Sequence, residues 1–167
     1  YDKGRKSGMW ATYHANGKVA SQGLYINDEQ SGKWEYFFDT GIPSASGEFK
    51  NGRKEGHWTA HHPDGSRKSE TNLSNGTGEY IEYYPGGKVK VQGNVVNDKR
   101  EGKWTFYYED GTREGECNYT KDRGAYTGYF PDGKLQTKGN LEGDTKVGTW
   151  EIYDNAGKLS GYYRPFY

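Results

Sequence analysis

Few side chains in this sequence carry the chemistry of a reaction. His57, His61 and His62 fall in one short stretch, and close imidazoles are ordinary material for a metal site. Neighbours in an extended chain point to opposite faces, however, so His61 and His62 are poorly placed to share an ion. They read as structural, in places that Tyr or Phe takes elsewhere. The single cysteine, Cys117, leaves no internal disulfide and no CxxC metal or redox pair. It reads as a small buried apolar residue. Gly76-Thr77-Gly78 has the glycines of a phosphate loop, but no helix follows to aim amides at a phosphate, so it reads as a tight turn. Glu35, Asp64, Glu82 and Glu151 are scattered, and no pair is forced together for general acid–base work. Nor is there a nucleophile, base and orienter set. The expectation is a protein that is not an enzyme, with no cofactor and no bound metal.

What the sequence has in quantity is aromatic residues and glycine: 16 Tyr, 6 Phe, 5 Trp and 26 Gly in 167 residues. They are periodic. A marker glycine recurs at Gly8, Gly32, Gly56, Gly78, Gly102, Gly124 and Gly148, with gaps of 24, 24, 22, 24, 22 and 24 residues. Two residues after each stands a large ring: Trp10, Trp34, Trp58, Tyr80, Trp104, Tyr126 and Trp150. All five tryptophans therefore occupy one repeat position.

Only 31% of residues are hydrophobic, too few for a conventional core. Aromatic rings supply the missing apolar area and favour strands, and their abundance argues against disorder. Basic and acidic residues balance at 23 each and are interspersed, so there is no electrostatic footprint for nucleic acid. No apolar run approaches the ~20 residues of a membrane helix, and no direct membrane insertion of this stretch is expected.

The first repeat reads as strand "MWATYH", turn "ANGK", strand "VASQGLYI" and loop "NDEQS". Asn16-Gly17 suggests a two-residue type I′ turn. Counting outward pairs His14 with Val19, Tyr13 with Ala20 and Trp10 with Gly23. The same count sets Trp34 on Gly47, Tyr80 on Gly93 and Tyr126 on Gly139, a ring over a bare glycine each time. The fifth and seventh repeats read as losing two residues in the first turn, which brings Trp104 to Gly115 and Trp150 to Gly161 across a four-residue loop. In the third, Thr71 replaces the glycine, so Trp58 is expected to pack least regularly. Alternation then sorts the faces. Val19, Tyr25, Val89, Val91, Val95, Leu135 and Leu141 join the tryptophan face. Tyr13, Phe37, His61, Tyr83, Tyr107, Tyr129 and Tyr153 lie on the other, with Lys68, Lys90, Gln136 and Lys158 among their neighbours. The fold expected is all-β: an elongated antiparallel meander of about seven hairpins, ~65 Å of sheet at ~4.8 Å per strand, forming a single domain over 1–167.

The motifs "NGKVASQGLYIND", "GKWEYFF", "FKNGRKEGHW", "GGKVKVQGNVVNDKREGKWTFYYEDG" and "PDGKLQTKGNLEG" resemble the MORN repeat in its longer bacterial, antitoxin-like variant. The resemblance runs from Gly4 to about Gly161. It implies a β-hairpin array with a binding or scaffolding role, and it brings no catalytic residues. Choline- or glucan-binding cell-wall repeats also use aromatic hairpins, but they carry a Gly-Trp dipeptide that this sequence lacks.

The expected role is a protein–protein interaction or scaffold module, an accessory of a larger envelope-associated complex. The alternative is a carbohydrate or cell-wall binding module. Partner contacts are expected at Tyr83, Tyr107, Tyr129 and Tyr153, helped by Lys90 and Lys158. "GRKSG" at Gly4 aligns with "GRKEG" at Gly52, which sets Tyr1 in mid-repeat; residues ahead of it, whether a leader, a lipid anchor or further hairpins, are expected. Pro165 in "GYYRPFY" is expected to stop strand pairing. The expected location is exported, periplasmic or outer-membrane-associated, with the cytoplasm as alternative.

Overall fold

The computed structural model describes residues 1–165; Phe166 and Tyr167, which close "GYYRPFY", lie outside the described residues. The described residues are all-β, with fourteen antiparallel strands in chain order. They are β1 (Gly8–Tyr13), β2 (Val19–Ile26), β3 (Glu29–Phe37), β4 (Pro43–Lys50), β5 (Arg53–His61), β6 (Arg67–Ser74), β7 (Thr77–Tyr83), β8 (Val89–Val96), β9 (Lys99–Tyr107), β10 (Arg113–Thr120), β11 (Arg123–Tyr129), β12 (Leu135–Glu142), β13 (Thr145–Tyr153) and β14 (Leu159–Tyr163). Two compact units divide the chain, residues 1–78 with 85–87 and residues 79–84 with 88–167.

The hairpin turns share one geometry. In the first, the His14 amide donates to the Lys18 carbonyl at 2.8 Å and the Gly17 amide to the His14 carbonyl at 2.9 Å. Gly17 is left-handed, with φ 84°, and Asn16 Oδ1 accepts from the Lys18 amide at 3.1 Å. This is a three-residue loop, a type I turn running into a left-handed glycine. It replaces the expected two-residue type I′ turn, and Tyr13 pairs with Val19 instead of Ala20. Type I′ geometry sits instead at connections between hairpins such as Asn27-Asp28 and Asn51-Gly52, where both central residues are left-handed, with φ of 50° and 71° in each pair.

Every turn glycine follows its marker by nine residues, so the first connection never shortens. Trp104 pairs with Cys117 and Trp150 with Tyr163; Gly115 and Gly161 face Phe106 and Ile152 instead. The length change lies inside the strands. β3, β5, β9 and β13 have nine residues, whereas β7 and β11 have seven. In β3 two extra residues bulge out, and the partner of β2 jumps from Trp34 at Gly23 to Ser31 at Leu24. The ladder breaks likewise around Gly47, Gly93 and Gly139. The marker glycine occupies the bulge and needs a left-handed φ: 62° at Gly32, 67° at Gly56, 69° at Gly102 and at Gly148. β10 and β11 pair without a break. There Gly124 serves differently, since a Cβ on it would strike the Asn118 carbonyl.

Each bulge seats an indole over the glycine of the preceding strand. A Cβ built on Gly23, Gly47, Gly93 or Gly139 would fall inside the ring of Trp34, Trp58, Trp104 or Trp150 respectively. The covering ring thus comes from the next hairpin, not from the same one. Trp10–Gly23, Trp34–Gly47 and Tyr126–Gly139 are nonetheless backbone partners, as counted. The indole N–H finds a carbonyl beside the bulge: Trp34 donates to Leu24 at 3.1 Å, Trp58 to Glu48 at 3.0 Å and Trp104 to Asn94 at 2.9 Å. Trp58 is therefore not irregular. It is 7% exposed, because its seat is Gly47 and Thr71 across the hairpin does not touch that contact.

The core is this one face. In the first unit it holds Trp34, Trp58 and Leu73; in the second, Val91, Val95, Trp104, Cys117, Tyr119, Tyr126, Leu141 and Trp150.

Candidate interaction site

Tyr83, Tyr107, Tyr129 and Tyr153 each end an odd strand of the second unit. They lie opposite the core face and are half-buried. A polar network fixes three of the hydroxyls. Tyr107 accepts from Gln92 Nε2 at 3.1 Å, Tyr129 donates to Glu116 Oε1 at 3.4 Å, and Tyr153 donates to Glu151 Oε2 at 2.6 Å. The Glu151 carboxylate beside Tyr153 pushes its phenol up from the ordinary tyrosine value. Glu116 is held below the usual carboxylate range, first by its hydrogen bond to Lys103, with the Lys103 and Arg113 charges assisting.

The cations over these rings are Arg113, 4.5 Å from the Tyr129 centroid, and Lys138, 5.9 Å from that of Tyr153. Lys90 sits 6.0 Å over Tyr84 and pairs with Glu82 at 3.2 Å. The Lys158 backbone amide donates to Asp154 Oδ1 at 2.9 Å, which closes the last turn. The row can therefore offer flat apolar area, hydroxyls and guanidinium donors to a surface laid across it.

A second set of cations was not singled out from the sequence. The residue four before each of four tryptophans stands over the ring: Lys6 at 5.1 Å from Trp10, Lys54 at 5.0 Å from Trp58, Arg100 at 4.4 Å from Trp104 and Lys146 at 4.6 Å from Trp150. The spacing was available to find them. Arg100 is the most enclosed, with its side chain 12% exposed and paired to Asp144 at 2.6 Å. Burial opposes its charge, but the Tyr119 hydroxyl and Asp144 outweigh that, and the guanidinium is held more firmly protonated. Beneath it, burial pushes the Cys117 thiol up to about 11. A shallow cleft of about 210 Å³ lies nearby, lined by Phe106, Glu114, Tyr126, Leu141, Lys146 and Trp150 among others.

The histidines do not converge. His57 Nδ1 lies 2.7 Å from Asn72 Oδ1, while His61 Nδ1 and His62 Nε2 are buried without a hydrogen-bond partner. Among the described residues no group of three or more His, Cys, Asp or Glu could hold a metal ion.

The family described as MORN repeat variant matches residues 6–27, 77–97, 100–121 and 123–142. These are the β1–β2, β7–β8, β9–β10 and β11–β12 hairpins. The chain belongs to the MORN repeat family. No curated protein matches it. MORN repeats are in general non-catalytic modules that contact proteins or membrane lipids. The three MORN hairpins that escape the family match close on the same turn bonds, at Phe38–Ile42, His62–Ser66 and Asp154–Lys158. Among the described residues no helix is long and apolar enough to cross a membrane.

Proposed function

We propose that this MORN array is a scaffold that holds a protein partner across the tyrosine row of its second unit. One observation carries the reading. Tyr83, Tyr107, Tyr129 and Tyr153 recur on alternate strands, about 9.6 Å apart by strand spacing, on the face that the core does not use. Tyrosine gives large contact area at low conformational cost and is enriched at interfaces. Arg113 and Lys138 extend that surface with cations. The module serves as an accessory subunit of a larger envelope-associated complex, in an exported, periplasmic or outer-membrane setting.

The test is the double variant Tyr107→Ser, Tyr129→Ser. It is expected to keep a cooperative urea transition and to lose the partner that the wild-type chain captures from native extracts. Retention of that partner by a folded double variant would sink the reading. Loss of binding to a polysaccharide instead would favour a cell-wall module.

A further inference from the structure

The geometry points to a docking site for one arginine side chain of a protein partner, in the cleft that Glu114, Tyr126 and Phe106 share. This rests on the reading of the module as a protein-interaction unit, but it places a contact beside the core rings of the second unit, outside the tyrosine row.

The cleft belongs to the junction of β10 with β11. That ladder has no bulge, and Tyr126 stands where the bulged junctions carry tryptophan. Its hydroxyl lies over Gly115, where an added Cβ would strike it. Buried Trp150 and Leu141 line the cleft, and half-buried Phe106 meets Tyr126 edge-on at 5.4 Å and 78°. Glu114 joins these rings through an irregularity on the other side of β10. The ladder to β9 passes from Arg113 opposite Tyr107 to Gly115 opposite Phe106, and Glu114, skipped between them, lines the cleft. At about 210 Å³ the space is smaller than the ~300–1,000 Å³ of pockets that enclose a small molecule. It suits the end of one side chain.

The polar groups of the cleft select a cation. Among the described residues Glu114 has no hydrogen bond and no ion pair, and the Tyr126 hydroxyl has no hydrogen bond. By contrast Glu35, Glu70, Glu82, Glu116 and Glu151, also half-buried in strands, each have a cation or a hydrogen-bond donor. The nearby cations are engaged elsewhere: Lys90 pairs with Glu82, Arg100 with Asp144, and Lys146 stands over Trp150. Burial accordingly pushes the Glu114 acid up, against the pull of Lys146 and Lys90. A desolvated carboxylate without a partner costs stability, and the same repeat position holds Ala20, Ser44 and Ser160 elsewhere. The fold does not need this charge, whereas a cationic ligand does.

Guanidinium fits better than ammonium. It is planar and weakly hydrated, and it offers paired N–H donors to a carboxylate while its flat face rests on a ring. The chain itself places guanidinium groups so. Arg100 lies 4.4 Å over Trp104 and pairs with Asp144, and Arg113 lies 4.5 Å over Tyr129 with Glu116 at 3.4 Å.

The probe is the capped peptide acetyl-Gly-Arg-Gly-amide, followed by NMR of the 167-residue protein. It is expected to shift the resonances of Phe106, Glu114 and Tyr126; the same peptide with citrulline, the uncharged isostere, is expected to shift none of them. Glu114→Gln, with its fold checked by a urea transition, is expected to weaken binding roughly tenfold or more, as loss of a hydrogen bond to a charged group does. Lys146→Met is expected to tighten binding, since a like charge leaves the cleft. Equal binding by Glu114→Gln, equal binding of the citrulline peptide, weaker binding by Lys146→Met, or no shift at these residues at millimolar peptide would overturn the proposal. So would binding of free arginine where the capped peptide fails, the mark of a small-molecule site. A silent cleft with tyrosine-dependent capture intact rejects the arginine site alone; arginine binding with capture that ignores the tyrosines rejects the row alone.

Discussion

A carboxylate among aromatic rings is uncomfortable at neutral pH, and Glu114 is in that position, beside Phe106, Tyr126 and Trp150. Burial pushes its acid above the usual carboxylate range, and the pull of Lys146 and Lys90 offsets only part of this. The folded state therefore holds the proton more tightly than the unfolded chain. The resulting stability is fully present below the unfolded glutamate value of about 4.3 and is lost as pH rises through the folded value. Glu114→Gln is expected to raise the urea midpoint at neutral pH and to leave it unchanged near pH 3.5. A lower midpoint at neutral pH would mean that the charged form is needed. Nothing in the sequence marks Glu114, because its place in other repeats holds Ala20, Ser44, Lys68, Lys90, Gln136 and Ser160. Its environment comes from residues on three other strands.

The elements were legible where they depend on spacing. Seven ring positions, fourteen strands and two unequal faces follow from the marker glycines, and the strands of the second unit alternate accordingly, as in buried Gly115, Cys117 and Tyr119 against exposed Asn118 and Thr120. Turn type was not legible, because Asn-Gly serves both turns: Asn16-Gly17 closes a three-residue loop, whereas Asn51-Gly52 forms a type I′ turn. Nor was the bulge, since two extra residues in a strand look in sequence like two in a loop. The bulge has a testable partner requirement. Deleting Gly102 and Lys103 from β9 is expected to cost about 3–5 kcal/mol, as in other core disruptions with a large aromatic, because Trp104 then loses its seat on Gly93. Adding Trp104→Tyr and Gly93→Cys, the pairing of Cys117 with Tyr126 in the unbulged junction, is expected to recover part of the loss. If urea midpoints show no recovery, the bulge and the ring type are independent.

For the whole molecule, an array built from neighbour contacts distributes its stability along the chain. Trp104 is 1% exposed, stacks on Tyr80 at 5.6 Å and carries Arg100 above it. Trp104→Ala is therefore expected to cost about 3–5 kcal/mol in urea melts. The half-buried Trp10 on the edge strand is expected to lose less, and equal losses at the two sites would count against the array. The seat and the ring of each junction also have a hereditary consequence, because they lie in different hairpins. Gly23, Gly47, Gly93 and Gly139 precede tryptophan, while Thr71 and Cys117 stand at the same place ahead of Tyr80 and Tyr126. A duplicated hairpin thus carries the ring of one junction and the seat of the next. Copies can be inserted without repair only where the incoming seat and the resident ring are of one kind. Such an array can lengthen by like-for-like duplication, yet a chance exchange between its two repeat types leaves a mismatch at each end.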